Sequence, residues 1–83
     1  MNSGQAMLEV KDWLLTLRPD LEDISPDLDL VTNRIVDSLA FVELVERLME
    51  LSGRELDVEA MPLESFQTLA AIRQHYLSCL DAA

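Results

Sequence analysis

The stretch RIVDSLAFVELVERLMEL, residues 34–51, is the best guide to the fold because it contains the clearest helical period in the chain. From Ser38 to Ser52 the apolar residues recur at the spacing of an amphipathic helix, and Gly53 is a typical C-terminal stop. One side of this predicted helix should pack in the core. Its core stripe consists of Phe41, Leu44, Val45, Leu48 and Leu51.

The other side of the same helix mixes three apolar residues with three carboxylates. It carries Leu39, Val42, Glu43, Glu46, Met49 and Glu50. An ordinary solvated face would be polar throughout. The three apolar side chains are therefore either buried under the preceding loop or offered to a partner, and periodicity alone leaves both alternatives open.

The flanking segments predict two further long helices. Apolar spacing indicates a helix from Ala6 to Leu17, which Pro19 ends, and a last helix over residues 69–80 that Thr68 could cap. Residues 1–5 are expected to fray. Residues 21–36 have no clean period, which predicts a long loop held to the core by a few apolar side chains, namely Leu28, Leu30 and Ile35.

These segments together predict an all-α fold. Residues 54–66 indicate a loop with a short helical turn, and the sequence contains no strand-like alternation of convincing length. We expect one domain over residues 1–83, a small four-helix bundle with three longer helices and one short helix before the last. The chain is long enough for one small domain and no more.

The composition limits the possible partners. Six basic residues stand against sixteen acidic ones, for a formal net charge of -10. Such a surface repels nucleic acids and anionic membranes and attracts proteins with basic patches. With one cysteine, Cys79, the chain has neither an internal disulfide nor a Cys-rich zinc site. No signal-peptide or membrane-spanning pattern is present, so we expect a cytoplasmic monomer.

Ser38 stands where the central helix begins, and its hydroxyl has three possible roles. It could cap the helix, although Asp37 could do so instead. It could be a catalytic nucleophile, but His75 is the single histidine and the chain has no Gly-x-Ser-x-Gly or Ser-x-x-Lys motif. It could also carry a covalently attached phosphate, which the N-terminus of a helix favours.

Asp37-Ser38-Leu39, followed by AFVELVERL, resembles the Asp-Ser-Leu motif of acyl carrier proteins. The resemblance extends from the first helix through the long loop to FQTLAAI, residues 66–72. It implies the acyl-carrier-protein fold and a 4'-phosphopantetheine, taken from coenzyme A, on Ser38. Asp37 would lie where the modifying transferase engages the carrier. The implied docking residues for partner enzymes are Asp37, Leu39, Val42, Glu43, Glu46, Met49 and Glu50.

The resemblance also implies a set of partners and no catalysis by the chain itself. The partners would be a phosphopantetheinyl transferase, a loading enzyme (an adenylating ligase or an acyltransferase) and a downstream synthase or transferase. Residues 33–36, NRIV, lack the glycine often found near this motif, and Arg47 interrupts the acidic helix. These departures favour a stand-alone carrier of acyl or aminoacyl groups in polyketide or nonribosomal-peptide biosynthesis. The alternatives are a carrier for fatty-acid synthesis and an unmodified acidic helical adaptor.

Overall fold

The first helix, α1, runs from Ser3 to Leu17 in a computed structural model that describes residues 2–81. It starts three residues before the predicted Ala6 because Asn2 and Gln5 form a reciprocal capping box, with 2.9 Å and 3.1 Å hydrogen bonds. Residues 2–5 thus form a cap and a first turn rather than a frayed end. Met1 lies outside the described residues.

The second helix, α2, runs from Ser38 to Ser52, and both predicted bounds are confirmed. At its start the Ala40 N–H donates to Asp37 Oδ1 at 2.8 Å. At its end Gly53 has a φ of 70°, a left-handed conformation that glycine adopts without steric cost, and its N–H donates to the Met49 carbonyl. Local chemistry thus determines both ends of the helix.

The last helical segment begins as predicted but is not uniform. Its α-helical part, α3, spans Leu69–Ile72, and Thr68 caps it by accepting from Ala71 N–H at 3.1 Å. A π-helical turn at Arg73–Leu77 and a 3-10 turn at Ser78–Asp81 continue it. The chain therefore stays helical over residues 69–81, with changing hydrogen-bond registers.

Two 3-10 turns, Val58–Ala60 and Leu63–Ser65, replace the single short helix predicted before the last one. Pro62 separates them because it lacks an N–H and pushes the preceding residue, Met61, into an extended conformation. Residues 2–81 contain no strand, so the fold is all-helical as expected. None of the helices in this range combines the length and apolar character needed to cross a membrane.

The core joins all three helical segments. Leu14 of α1, Leu44 and Leu48 of α2, and Ile72 and Leu77 of the last segment are fully buried in one cluster. The predicted stripe of α2 is confirmed, since Leu44, Val45 and Leu48 are buried while Phe41 and Leu51 are half-buried against the core. The radius of gyration, 11.9 Å, is about that expected for a compact domain of this length.

The long loop is held by apolar and polar anchors. Leu30 and Ile35 are buried as predicted, Leu28 is half-buried, and Ile24 and Val36 are additional buried anchors.

Asp29 provides the main polar anchor of this loop. Its carboxylate accepts from the N–H groups of Val31 and Thr32, and from the Gln67 side chain at 2.5 Å. These hydrogen bonds, the Thr32 N–H first, lower the pKa of Asp29. The Leu30 N–H also donates to the Gln67 carbonyl at 2.8 Å, so the loop is fastened immediately before the last helix.

Candidate functional site

Ser38 occupies the first position of α2 with its side chain exposed to solvent. Asp37 fills the capping role, because its carboxylate accepts the Ala40 N–H. Among residues 2–81 the Ser38 hydroxyl makes no hydrogen bond, whereas the hydroxyls of Ser3 and Ser65 are buried and bonded. Ser38 is therefore a free hydroxyl at the start of a helix rather than a cap.

An open groove of about 680 Å³ lies beside Ser38. It is bounded by the long loop, the first turn of α2 and the second 3-10 turn. Two aromatic rings line it, since Phe41 and Phe66 pack with their centroids 4.5 Å apart and their planes tilted by 36°. Its lining consists of Val31, Arg34, Val36, Asp37, Ser38, Phe41, Leu63 and Phe66. The groove offers a mostly apolar surface next to one free hydroxyl.

The sequence placed only Asp37 and Ser38 at this site, so the other lining residues are new. Leu63 and Phe66 come from a segment far along the chain, although their i, i+3 spacing after Pro62 is a local sign that they share one face. Arg34 has a φ of 57°, an uncommon conformation for a residue other than glycine, and no sequence pattern indicates it. It places a cation on the rim of the groove that contains Ser38.

The outer face of α2 leaves two large apolar side chains in solvent. Leu39 is 73% exposed and Val42 is 50% exposed, while Met49 is half-buried. The loop before α2 does not cover Leu39 or Val42, because its own apolar residues Ile35 and Val36 turn into the core. Of the two alternatives left open by the periodicity, burial under the loop is wrong for these two residues.

The carboxylates predicted on this face are also exposed. Glu43, Glu46 and Glu50 line a polar groove of about 460 Å³ between α1 and α2. Arg47 lies in the same groove with its guanidinium carbon 4.7 Å from the centre of the Trp13 ring, a cation–π contact. The cation that interrupts the acidic helix thus packs against Trp13 of α1, and the three carboxylates line the same groove.

Neither the single histidine nor a metal-binding cluster lies beside Ser38 in the described part of the chain. His75 is exposed on the π-helical turn and does not line the groove beside Ser38. Within residues 2–81 no three His, Cys, Asp or Glu side chains lie close enough together to hold a metal ion. Ser38 itself presents a solvent-exposed hydroxyl at the edge of an open groove.

Comparisons with known proteins give no family assignment. No protein-family model, curated protein or solved structure matches the chain. We therefore infer function from the motif around Ser38 and from the exposure of the residues around it.

Proposed function

We propose that this protein is an acyl carrier protein that receives 4'-phosphopantetheine on Ser38. The group would then carry an acyl or aminoacyl unit between partner enzymes. One observation carries the proposal, namely the exposed and unbonded Ser38 hydroxyl at the start of α2 in an Asp-Ser-Leu motif. A hydroxyl that must enter another enzyme's active site has to be accessible, and Ser38 is.

The surroundings of Ser38 fit an attached phosphodiester. The amides of Ser38 and Leu39 belong to the first turn of α2 and have no partner within the helix, and the helix dipole favours negative charge at this end. Arg34 adds a cation on the adjacent groove rim. Because Asp37 already caps α2, modification of Ser38 sacrifices no hydrogen bond that stabilises the helix.

The loading step transfers a phosphoryl-linked group to Ser38. In this step Ser38 Oγ bonds to the pantetheine-bearing phosphorus of coenzyme A, the pyrophosphate bond breaks, and adenosine 3',5'-bisphosphate leaves. A base of the transferase accepts the hydroxyl proton, since no described residue forms a hydrogen bond with it. The attached arm supplies a thiol that holds the cargo as a thioester and keeps it at high effective concentration near several active sites.

The outer face of α2 would serve as the docking surface. Leu39 and Val42 offer exposed apolar contacts, while Asp37, Glu43, Glu46 and Glu50 offer exposed negative charge. Charges at the rim of an interface accelerate association more than they strengthen the complex. This suits a carrier that must release each enzyme after its visit.

The pathway is proposed from the resemblance alone. A carrier of amino acids or unusual acyl units for polyketide or nonribosomal-peptide synthesis fits residues 33–36 better than a carrier for fatty-acid synthesis does. The mass of the loaded protein isolated from its native cell distinguishes the two, because the added mass identifies the cargo.

Intact-mass spectrometry tests the proposal. Incubation with coenzyme A and a phosphopantetheinyl transferase of broad specificity should add about 340 Da to the wild-type protein and nothing to Ser38→Ala. Ser25→Ala, which removes an exposed serine from the long loop, is the matched control and should be modified normally. Absence of a mass gain in wild type, with a transferase that modifies a known carrier, would refute the proposal.

The rival from a different class is an unmodified acidic adaptor. Its outer α2 face would bind partners in the same way, but the Ser38 hydroxyl would have no use. In that case Ser38→Ala would keep full activity in the pathway that the protein serves, whereas the carrier would lose all of it.

A further inference from the structure

A second groove, of about 520 Å³, lies between α1 and the last helical segment. One wall is formed by residues 4, 7, 8 and 11, which lie on the same side of α1. The other wall is formed by one side of residues 69–78. Ile24 and Pro26 of the long loop close one end. The complete lining is Gly4, Met7, Leu8, Lys11, Ile24, Pro26, Leu69, Ala70, Arg73, Gln74 and Ser78.

The wall of this groove contains apolar surface that the fold does not use. Leu8 is 59% exposed, and Met7 packs only partly against the core. α1 therefore has two apolar faces, one buried through Val10 and Leu14 and one facing the groove. Helix-in-groove recognition uses this shape, since a helix of a partner can place its apolar side chains between two helices.

The charged side chains that line this groove are cations, unlike most charged side chains of this acidic chain. Among residues 2–81 the ionisable side chains in its lining are Lys11 and Arg73, and no carboxylate of this range lines it, although the chain carries a net charge of -10. Each cation already has a carboxylate of the chain nearby. Lys11 pairs with the exposed Asp23, and Arg73 Nε donates at 2.9 Å to Ser3 Oγ, which in turn donates to the exposed Asp81. An exposed ion pair such as Lys11–Asp23 contributes little, so an incoming carboxylate can share the ammonium group.

The Arg73 guanidinium lies close to Gly4 at the start of α1. A Cβ at position 4 would lie 3.9 Å from an Arg73 guanidinium nitrogen and 3.4 Å from Asn2 Oδ1. The guanidinium therefore lies directly over the first turn of α1, at one end of the groove, while Lys11 lies two turns further along the helix. The two cations are spaced along α1 so that carboxylates one or two turns apart on a partner helix can reach both.

We propose that this groove binds an amphipathic helical segment of a partner protein that presents apolar side chains flanked by carboxylates. The groove shares no residue with the groove beside Ser38 or with the acidic groove between α1 and α2. One partner can thus be held here while Ser38 and α2 remain free for another. The inference does not depend on modification of Ser38.

Two designed peptides test the proposal on unmodified full-length protein. Both form amphipathic helices with the same leucine stripe, and one carries glutamates where the other carries lysines. Two-dimensional ¹⁵N NMR at an ionic strength of about 0.15 M limits the repulsion between the acidic peptide and the rest of the surface. The acidic peptide should shift the amide signals of Leu8, Lys11, Ala70 and Gln74, whereas the basic peptide should shift those of α2 instead.

Two charge-reversal variants separate a local effect from a general one. Lys11→Glu should weaken binding of the acidic peptide about fivefold. Arg54→Glu changes the net charge equally at an exposed position after α2 and should leave binding unchanged. Equal weakening by both variants would overturn the proposal, because the attraction would then not be located in the groove.

Other occupants of the groove give different results. Signal shifts at these lining residues with sodium octanoate but not with the acidic peptide would overturn the proposal in favour of a small amphiphile. Shifts that depend on protein concentration in the absence of peptide would overturn it in favour of a second copy of the chain. No shift of the lining residues at about 1 mM acidic peptide, where even weak complexes form, would also refute it.

Discussion

Substitutions at Asp37 and Ser38 should have opposite consequences for stability and modification. Asp37→Ala removes the acceptor of the Ala40 N–H, which is bonded at 2.8 Å, and loss of such a cap costs about 1 kcal/mol. Ser38→Ala removes an exposed hydroxyl without a hydrogen bond within residues 2–81, so it should change the free energy of unfolding by less than about 0.5 kcal/mol.

Urea denaturation followed by circular dichroism at 222 nm measures both effects. With a denaturant slope of about 1 kcal/mol/M for a domain of this size, Asp37→Ala should lower the midpoint by about 1 M. Ser38→Ala should shift it by less than half of that. Asp37→Asn is the matched control, because an asparagine caps a helix about as well as an aspartate and should restore most of the stability.

The same three variants test the carrier proposal through the rate of modification by a phosphopantetheinyl transferase. Ser38→Ala should be stable but unmodified, and Asp37→Asn should be stable but modified slowly if the transferase engages the charge of Asp37. The reasoning is refuted if Ser38→Ala lowers the urea midpoint as much as Asp37→Ala does. That result would mean that Ser38 caps α2 and that its hydroxyl is not free.

Three other predictions concern docking, the core and acid stability. Glu43→Lys should slow modification by the transferase more at about 0.02 M salt than at about 0.3 M, because salt screens the electrostatic attraction that accelerates association. Glu59→Lys, outside α2, is the control and should not slow it. Equal effects of Glu43→Lys at both salt concentrations would contradict a place for Glu43 in the docking surface. Leu44→Ala, at a fully buried position, should cost about 2–5 kcal/mol in thermal or urea unfolding, and a cost well below that would contradict its place in the core. The Ser3 hydroxyl and N–H donate to Asp81 and lower the pKa of that carboxyl. The ionised carboxylate therefore stabilises the fold fully above the unfolded-state pKa of about 4. This stabilisation is lost as the pH falls through the lower pKa of the folded state. Asp81→Asn should therefore reduce the loss of stability on acidification in urea titrations, and an unchanged pH profile would exclude this pair as a cause.

The parts of the fold that the sequence predicts well are those with local causes. α2 has strong apolar periodicity, a capping aspartate directly before it and a glycine directly after it, so both ends follow from adjacent residues. α1 also begins for a local reason, the Asn2–Gln5 capping box, but these polar residues resemble an ordinary chain terminus. Pro62 likewise explains why the helical turn before the last helix is divided in two.

The sites depend on contacts between distant segments, and the sequence predicts them less well. The side of α2 that Leu39 and Val42 occupy follows from periodicity, but their exposure depends on where the loop goes. The loop turns Ile35 and Val36 into the core and is fastened to Gln67, so it leaves the outer face of α2 uncovered. The groove beside Ser38 and the groove along α1 similarly need chain segments that only the tertiary fold brings together.

Asp37 caps α2 while the hydroxyl of Ser38 beside it stays unbonded among residues 2–81. This arrangement supports the proposal of a carrier over that of an adaptor. Asp37 alone satisfies the Ala40 N–H, so α2 requires no hydroxyl at position 38. In an unmodified adaptor the hydroxyl at this exposed position would add no hydrogen bond from residues 2–81 to the helix. A serine there gives the fold no described hydrogen bond, but under the carrier proposal it would give a transferase an accessible nucleophile whose loss leaves the helix intact. This separation of structural and chemical roles is what a domain needs if one of its helix termini is to be modified without being destabilised.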